Sequence, residues 1–256
     1  NGGQVCLCPD YVFVPSEGKA EFIATVEQQF HRSFPTILDN PAHCAIVDDK
    51  NYERVIDLVA DAWAKGANVI EAVPPGESLP SAEQRRIAPT ILTDVTNDMD
   101  VTTEEVFGPV LTVHTYDRLD EVITYVNARP SPLASYWYGG DSADFRAFCD
   151  LTRSGGITRN DFALHAAIDG APFGGVGQSG SGGYHGKTGF DAFSHYRTVC
   201  ESRLPVSMTS LLVPPNPPLL DAAVNWAARR QAKRLRRRIE EYRRDSDCPA
   251  PPGKGG

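Results

Sequence analysis

The sequence predicts an α/β chain: a mainly parallel sheet covered by helices, followed by a basic helical tail. Three observations predict it. Between residue 11 and about 160, short β-branched or apolar runs alternate with segments of helical periodicity, at the spacing of strand–helix–strand units. Hydrophobic residues make up 41% of the 256, and with 22 glycines the apolar share reaches about half, enough for one sizeable core or two modest ones. Beyond residue 170 the composition changes: glycine-rich at 171–189, proline-rich at 211–220 and basic at 221–244.

In chain order, Tyr11 to Val14 reads as a buried strand and Glu17 to Phe34 as a helix. Ala45-Ile46-Val47 is a second short apolar run. The clearest helix follows, with Val55, Leu58, Val59, Ala62 and Trp63 on one face and Gly66 where a left-handed C-terminal cap belongs. Strands are expected at 68–73, 86–92, 110–116, 133–138 and 156–159, and helices at 119–128 and 143–152. This alternation defines a fold class and says nothing about chemistry.

Charge and cysteine usage narrow the function classes. The formal charge of −8 argues against nucleic acid as a partner, because polyanion binding needs a broad basic surface. No apolar run reaches the roughly 18 residues of a membrane span. The cysteines at 6, 8, 44, 149, 200 and 248 are too scattered for a disulfide framework, and no Asn-x-Ser/Thr sequon occurs, so a reducing, cytoplasmic compartment is expected. The chain begins at Asn1 without a methionine, as a processed protein or a fragment would.

Three segments could carry chemistry. Gly3-Gln4-Val5-Cys6-Leu7-Cys8-Pro9 offers a tight turn before Cys6, suited to a nucleophile that needs nearby amide donors for an oxyanion; a buried structural cysteine is the other reading. Cys6-x-Cys8 finds no second Cys/His pair at ligand spacing, so no metal site is expected. Thr103-Glu104-Glu105-Val106-Phe107-Gly108-Pro109-Val110 sets a carboxylate and an aromatic ring on one loop before a strand, as a site or as a solvated turn. Gly175-Val176-Gly177-Gln178-Ser179-Gly180 fits the G-x-G-x-x-G spacing of a dinucleotide site. It lacks the flanking strand and helix, and Asp191 comes too early for the acidic partner, which makes it a loop shaping a pocket.

Together, in this order and at these separations, the segments resemble the C-terminal, catalytic-domain half of the NAD(P)-dependent aldehyde dehydrogenase superfamily. Pro-Phe-Gly-Gly-Val-Gly-Gln-Ser-Gly through Phe-Ser-His at 172–195 is similar to the class 3 branch, and Gly-Gln-Val-Cys-Leu-Cys-Pro-Asp-Tyr-Val at 3–12 to coniferyl aldehyde dehydrogenases. The resemblance implies that Cys6 is the nucleophile, adding to an aldehyde to give a thiohemiacetal and then, after hydride transfer to NAD or NADP, a thioester that water hydrolyses to the acid. It implies that Glu105 binds the ribose beside the nicotinamide, that Phe107 lies next to that ring and that Phe173 lines the substrate tunnel. His165 falls near the same tunnel, or is a hydrogen-bonded structural histidine. Cys8 is packing, or a partner that caps Cys6 as a disulfide.

The family's cofactor-binding domain, deacylating glutamate and oxyanion-hole asparagine precede the reactive cysteine and are not among these residues. The chain alone is therefore expected to be inactive; the other reading is a non-catalytic remnant serving as a binding or subunit-interaction module. The small-molecule partner is an aldehyde, aromatic or alkyl, and the full-length protein is expected to be a homo-oligomer. The expected domains are a catalytic domain at 1–200, a proline-rich connector at 201–220, and at 221–256 a basic helical tail with a disordered end. Residues 221–244 carry a net charge of +6, leaving −14 for the rest, and Val224, Ala228, Ala232, Leu235, Ile239 and Tyr242 recur at helical spacing. Such a helix suits either the chain's own acidic body or peripheral contact with an anionic membrane.

Overall fold

The computed structural model describes residues 1–203, 205, 207 and 218–245. They fall into two units, divided after His195. In the first, a four-stranded sheet has the order β1-β4-β3-β2, formed by β1 (Tyr11–Pro15), β2 (Asn68–Glu71), β3 (Thr90–Thr93) and β4 (Val110–Tyr116). β1 and β3 each run parallel to β4, with Tyr11 opposite Thr112 and Thr90 opposite Val110; β2 is antiparallel to β3. A separate parallel pair joins β5 (Ala134–Trp137) to β6 (Gly156–Arg159). The expected α/β class holds.

Both faces of the larger sheet are covered. All four residues of β3 are buried, as befits a strand with a neighbour on each side and helices above and below. Its successive side chains serve different cores. Leu92 packs with Val55, Leu58 and Ala62 of α2 (Asp49–Ala64), whereas Ile91 joins Val14 and Val113 against Phe22, Ile23 and Val26 of α1 (Lys19–Ser33). Helix α2 starts where Asp48 accepts a hydrogen bond from the Asn51 N–H at 2.8 Å, a side-chain N-cap. Helices α3 (Leu119–Asn127) and α4 (Ala143–Leu151) follow β4 and β5; α4 is capped by Ser142, which accepts from the Phe145 N–H, and lays Phe145 and Phe148 against Trp137.

Some expectations shift. Trp63 is 70% exposed, because it lies about 100° past Ala62 on the helix and so leaves the buried face. The strand expected from Arg86 begins only at Thr90: Arg86 instead exchanges backbone hydrogen bonds with Ser81, and Pro89 has no N–H to offer a ladder. The first helix is preceded by a single turn of tighter helix, Ser16–Gly18. In the glycine-rich stretch a similar turn spans Gly177–Ser179, and α5 (Gly186–Ala192) begins well after Gly180, so the G-x-G-x-x-G residues do not join a strand to a helix.

In the second unit, α6 (Pro218–Asp245) begins three residues ahead of the expected tail. Its residues from 222 to 241 are exposed, and the Arg230 guanidinium lies 5.1 Å from the centre of the Trp226 ring. Among the described residues no helix is long and apolar enough to cross a membrane. The expected connector and disordered end lie largely outside the described residues.

Candidate active site

Cys6 occupies a tight turn immediately before β1. The turn closes where the Cys8 N–H donates to the Val5 carbonyl at 2.8 Å. Cys6 is exposed, and its own N–H makes no hydrogen bond among the described residues. Cys8 is partly buried, and that burial pushes its thiol up. The five described cysteines are all free thiols.

Gln4 anchors this turn. Its side-chain amide donates to the Ala45 carbonyl at 3.0 Å and accepts from the Val47 N–H at 3.0 Å, so one side chain pairs with the apolar run 45–47 as a neighbouring strand would. Gly3 sits at φ +74°, and a Cβ there would lie 1.9 Å from the Gly108 carbonyl oxygen. The Cys6 turn therefore rests directly on the Phe-Gly-Pro loop, and only glycine permits that approach.

The loop bearing Glu105 and Phe107 is tied on both sides. Arg54, from α2, donates to the Glu105 carbonyl at 3.0 Å and to the Val106 carbonyl at 2.6 Å. Asp10 accepts from the Val106 N–H at 3.1 Å, while its own carbonyl accepts from the Thr112 N–H and hydroxyl, both at 3.0 Å. Burial pushes the Asp10 carboxyl up to about 6, opposed mainly by the Val106 amide and then assisted by the neighbouring Glu105 charge. Phe107 is held at φ +48°, a left-handed conformation unfavourable for a bulky residue. Val106 is buried beneath the loop, whereas the Glu105 side chain is exposed and Phe107 half-buried.

Phe173 reaches the same region through rings. It exchanges backbone hydrogen bonds with Tyr184, packs edge-on against that ring at 5.5 Å and lies 6.0 Å from His165. His165 in turn lies 6.2 Å from Tyr136, whose hydroxyl donates to the Leu7 carbonyl at 2.7 Å, beside Cys6. Burial pushes the Tyr136 phenol up to about 12. The Thr158 hydroxyl accepts from the His165 backbone N–H at 3.1 Å and lies 2.7 Å from Nδ1, while Nε2 is buried with no hydrogen-bond partner among the described residues. Two shallow hollows among the described residues touch neither Cys6 nor Phe173. One, about 420 Å³, is lined by His31, Pro35, Val73 and Pro75, and the other, about 320 Å³, runs along α2 beside Arg54 and Glu104. Phe173 itself is half-buried among these rings.

The structure brings Cys6, Glu105 and Phe107 to one end of the larger sheet. Of the residues that do this, Gln4 was read with Gly3 as part of the tight turn, whereas Asp10, Arg54 and Tyr136 were not singled out by sequence reasoning. Asp10 alone had a local signal, as the polar residue between Pro9 and an apolar strand.

A cysteine turn docked on a Glu-Val-Phe-Gly-Pro loop, in a helix-covered and mainly parallel sheet, defines a family that comparison also reaches. Residues 1–199 match the aldehyde dehydrogenase family, and the chain belongs to it. A probable coniferyl aldehyde dehydrogenase of Caulobacter vibrioides is 49% identical over 199 residues, 78% of this chain and 41% of that protein. A coniferyl aldehyde dehydrogenase of a Pseudomonas species is 43% identical over the same share of each. Among solved structures, a substrate-bound state of Staphylococcus aureus AldH aligns with a TM-score of 0.69 at 30% identity, covering 89% of this chain and 47% of that one. The chain spans about two fifths of the length of the curated relatives it matches.

Proposed function

We propose that this chain supplies the nucleophile and the cofactor-ribose contact of an NAD- or NADP-dependent dehydrogenase that oxidises an aromatic aldehyde of the coniferyl kind, or an alkyl aldehyde, to its carboxylic acid. In this reading residues 1–200 are its catalytic domain. The observation that carries it is the docking of the Cys6 turn on the Glu105–Phe107 loop, through Gly3 on Gly108 and Asp10 on the Val106 N–H.

Cys6 contributes the sulfur that adds to the aldehyde carbon and later carries the acyl group as a thioester until water releases the acid. Its uncommitted N–H suits the oxyanion that forms when sulfur adds. A nicotinamide nucleotide, when bound, supplies the hydride acceptor. The residues fit such a group. The exposed Glu105 carboxylate can accept from both hydroxyls of a ribose while Arg54 fixes its backbone, and Phe107 offers a ring at a rigidly set angle. Phe173 and its aromatic neighbours favour a flat, apolar substrate.

The test uses the natural polypeptide that carries these residues, with coniferyl aldehyde and either nucleotide, followed by nicotinamide reduction. The Cys6→Ala variant is expected to lose at least about a thousandfold in kcat/KM. Oxidation at the wild-type rate in that variant would overturn the assignment.

A further inference from the structure

We propose that Asp10, together with Arg54, is a positioning residue whose side chain fixes the cofactor loop, and not the nucleophile turn, at the sheet edge. This deepens the reading above and rests on it. Asp10 stands at the junction of three segments. It follows the Cys6–Cys8 turn, its backbone carbonyl is fastened to β4 by two hydrogen bonds from Thr112, and its carboxylate takes the Val106 N–H at 3.1 Å. Arg54 takes the carbonyl of that same residue, Val106, at 2.6 Å and the preceding one at 3.0 Å. The peptide groups on either side of Val106 are thus gripped from opposite directions, by an anion on the N–H and a cation on the carbonyls.

The residue gripped this way adjoins the strained one. Phe107, at φ +48°, follows Val106, and on its far side Gly108 is wedged between Gly3 and Val55. A bulky residue stays left-handed only where its surroundings over-determine it.

Three measurements on Asp10→Ala and Asp10→Asn, in the natural polypeptide, test this. The first is hydrogen exchange over residues 104–108, which needs no turnover. Loss of the acceptor in Asp10→Ala is expected to speed exchange of the Val106 amide at least about tenfold while the segment 4–8 is unchanged. The second is cofactor affinity against ester hydrolysis. Attack of Cys6 on p-nitrophenyl acetate needs no nucleotide, so it is expected to stay within about twofold while the nucleotide Kd rises and aldehyde oxidation falls at least about tenfold. The third is rescue: Asp10→Asn keeps an oxygen that can accept from Val106 and is expected to recover most of both. Parallel loss of ester hydrolysis and oxidation, or unchanged exchange at Val106, would overturn the proposal. A wild-type protein that shows no aldehyde oxidation would overturn the dehydrogenase reading instead, and the exchange data would still decide whether Asp10 holds the loop.

Discussion

In the reading proposed above, the loop at 104–109 faces the cofactor and the stretch at 171–189 the substrate, and the two are held by different means. The cofactor-side loop at 104–109 is secured by side chains that reach in from elsewhere: Arg54 from α2, and Asp10 from the start of β1. The substrate-side stretch at 171–189 is secured by its own backbone. A Cβ on Gly175 would lie 1.9 Å from the Ser179 carbonyl oxygen, one on Gly174 would lie 2.2 Å from that of Gly182, and Phe173 pairs with Tyr184 as an isolated bridge. Polar clamps can hold a residue in a conformation it resists, as with Phe107. Backbone contacts between glycines set a shape without holding any one side chain at a chosen angle. The first arrangement suits a group that must meet a ligand at fixed geometry, and the second suits a wall.

The largest effect should come where both means meet, at Gly3. An alanine there needs an unfavourable φ and collides with the Gly108 backbone, which cannot move because Val55 lies beneath it. Strain and overpacking together are expected to cost about 3 kcal/mol or more. Urea unfolding of Gly3→Ala would measure it; a loss under about 1 kcal/mol would mean the two turns are not rigidly docked.

Acid titration sharpens the contrast from the sheet beneath. His114, on β4, stacks on Phe13 at 5.2 Å, and burial pushes its imidazole down to about 4. The unfolded chain then binds more protons between about pH 4 and 6.5, so this group costs stability as pH falls, up to about 3 kcal/mol. Asp10 has the opposite sign. With its carboxyl raised to about 6, the folded chain binds more protons between about pH 4 and 6, and the group adds stability as pH falls. The two groups act in opposite directions in the wild type. Relative to the wild type, His114→Phe is expected to gain stability on acidification and Asp10→Asn to lose it. Parallel melting profiles from pH 7 to 4 for both variants would show that neither carboxyl nor imidazole is perturbed by the fold.

A smaller effect lies at the joint between the two sides. Tyr136→Phe keeps the ring beside His165 but leaves the Leu7 carbonyl without its donor. The expected loss is about 1 to 1.5 kcal/mol in stability. Alkylation of Cys6 by iodoacetamide should also change in rate, because Leu7 is part of its turn. An unchanged alkylation rate would separate the substrate-side rings from the nucleophile.

How far the sequence revealed this depends on the means of attachment. Strand and helix alternation showed the fold class, since the period of a half-buried helix such as α2 is written in Val55, Leu58 and Ala62. Glycine contacts were half legible: the density of glycine at 171–189 marked close backbone approach without saying which carbonyls would meet. The clamps were not legible. Asp10 and Arg54 are ordinary polar residues separated along the chain by the whole of α1, and their shared target, Val106, contributes only backbone atoms. A side chain that recognises a peptide group leaves no trace in the identity of the residue it grips. Trp63 misled for a related reason, because periodicity reports a face but not how wide its cover is.

The smallest effect tests the substrate side alone, within its G-x-G-x-x-G spacing. Gly177 has φ +66° with no atom within 4 Å of where a Cβ would be, whereas the site next to Gly175 is filled by Ser179 backbone. If glycine is present at 177 only for its φ, Gly177→Ala should cost about 1 kcal/mol, and Gly177→Asn less, since asparagine tolerates the left-handed region. Gly175→Ala, with no such φ but no room, should cost more than either. A phosphate cradle would behave differently, because there the middle glycine is needed for close approach of the backbone to a pyrophosphate. Nucleotide affinity unchanged in Gly177→Ala, beside a measurable loss of stability, is therefore the outcome expected of a wall; a large loss of affinity would move the nucleotide to this loop and break the division between the two sides.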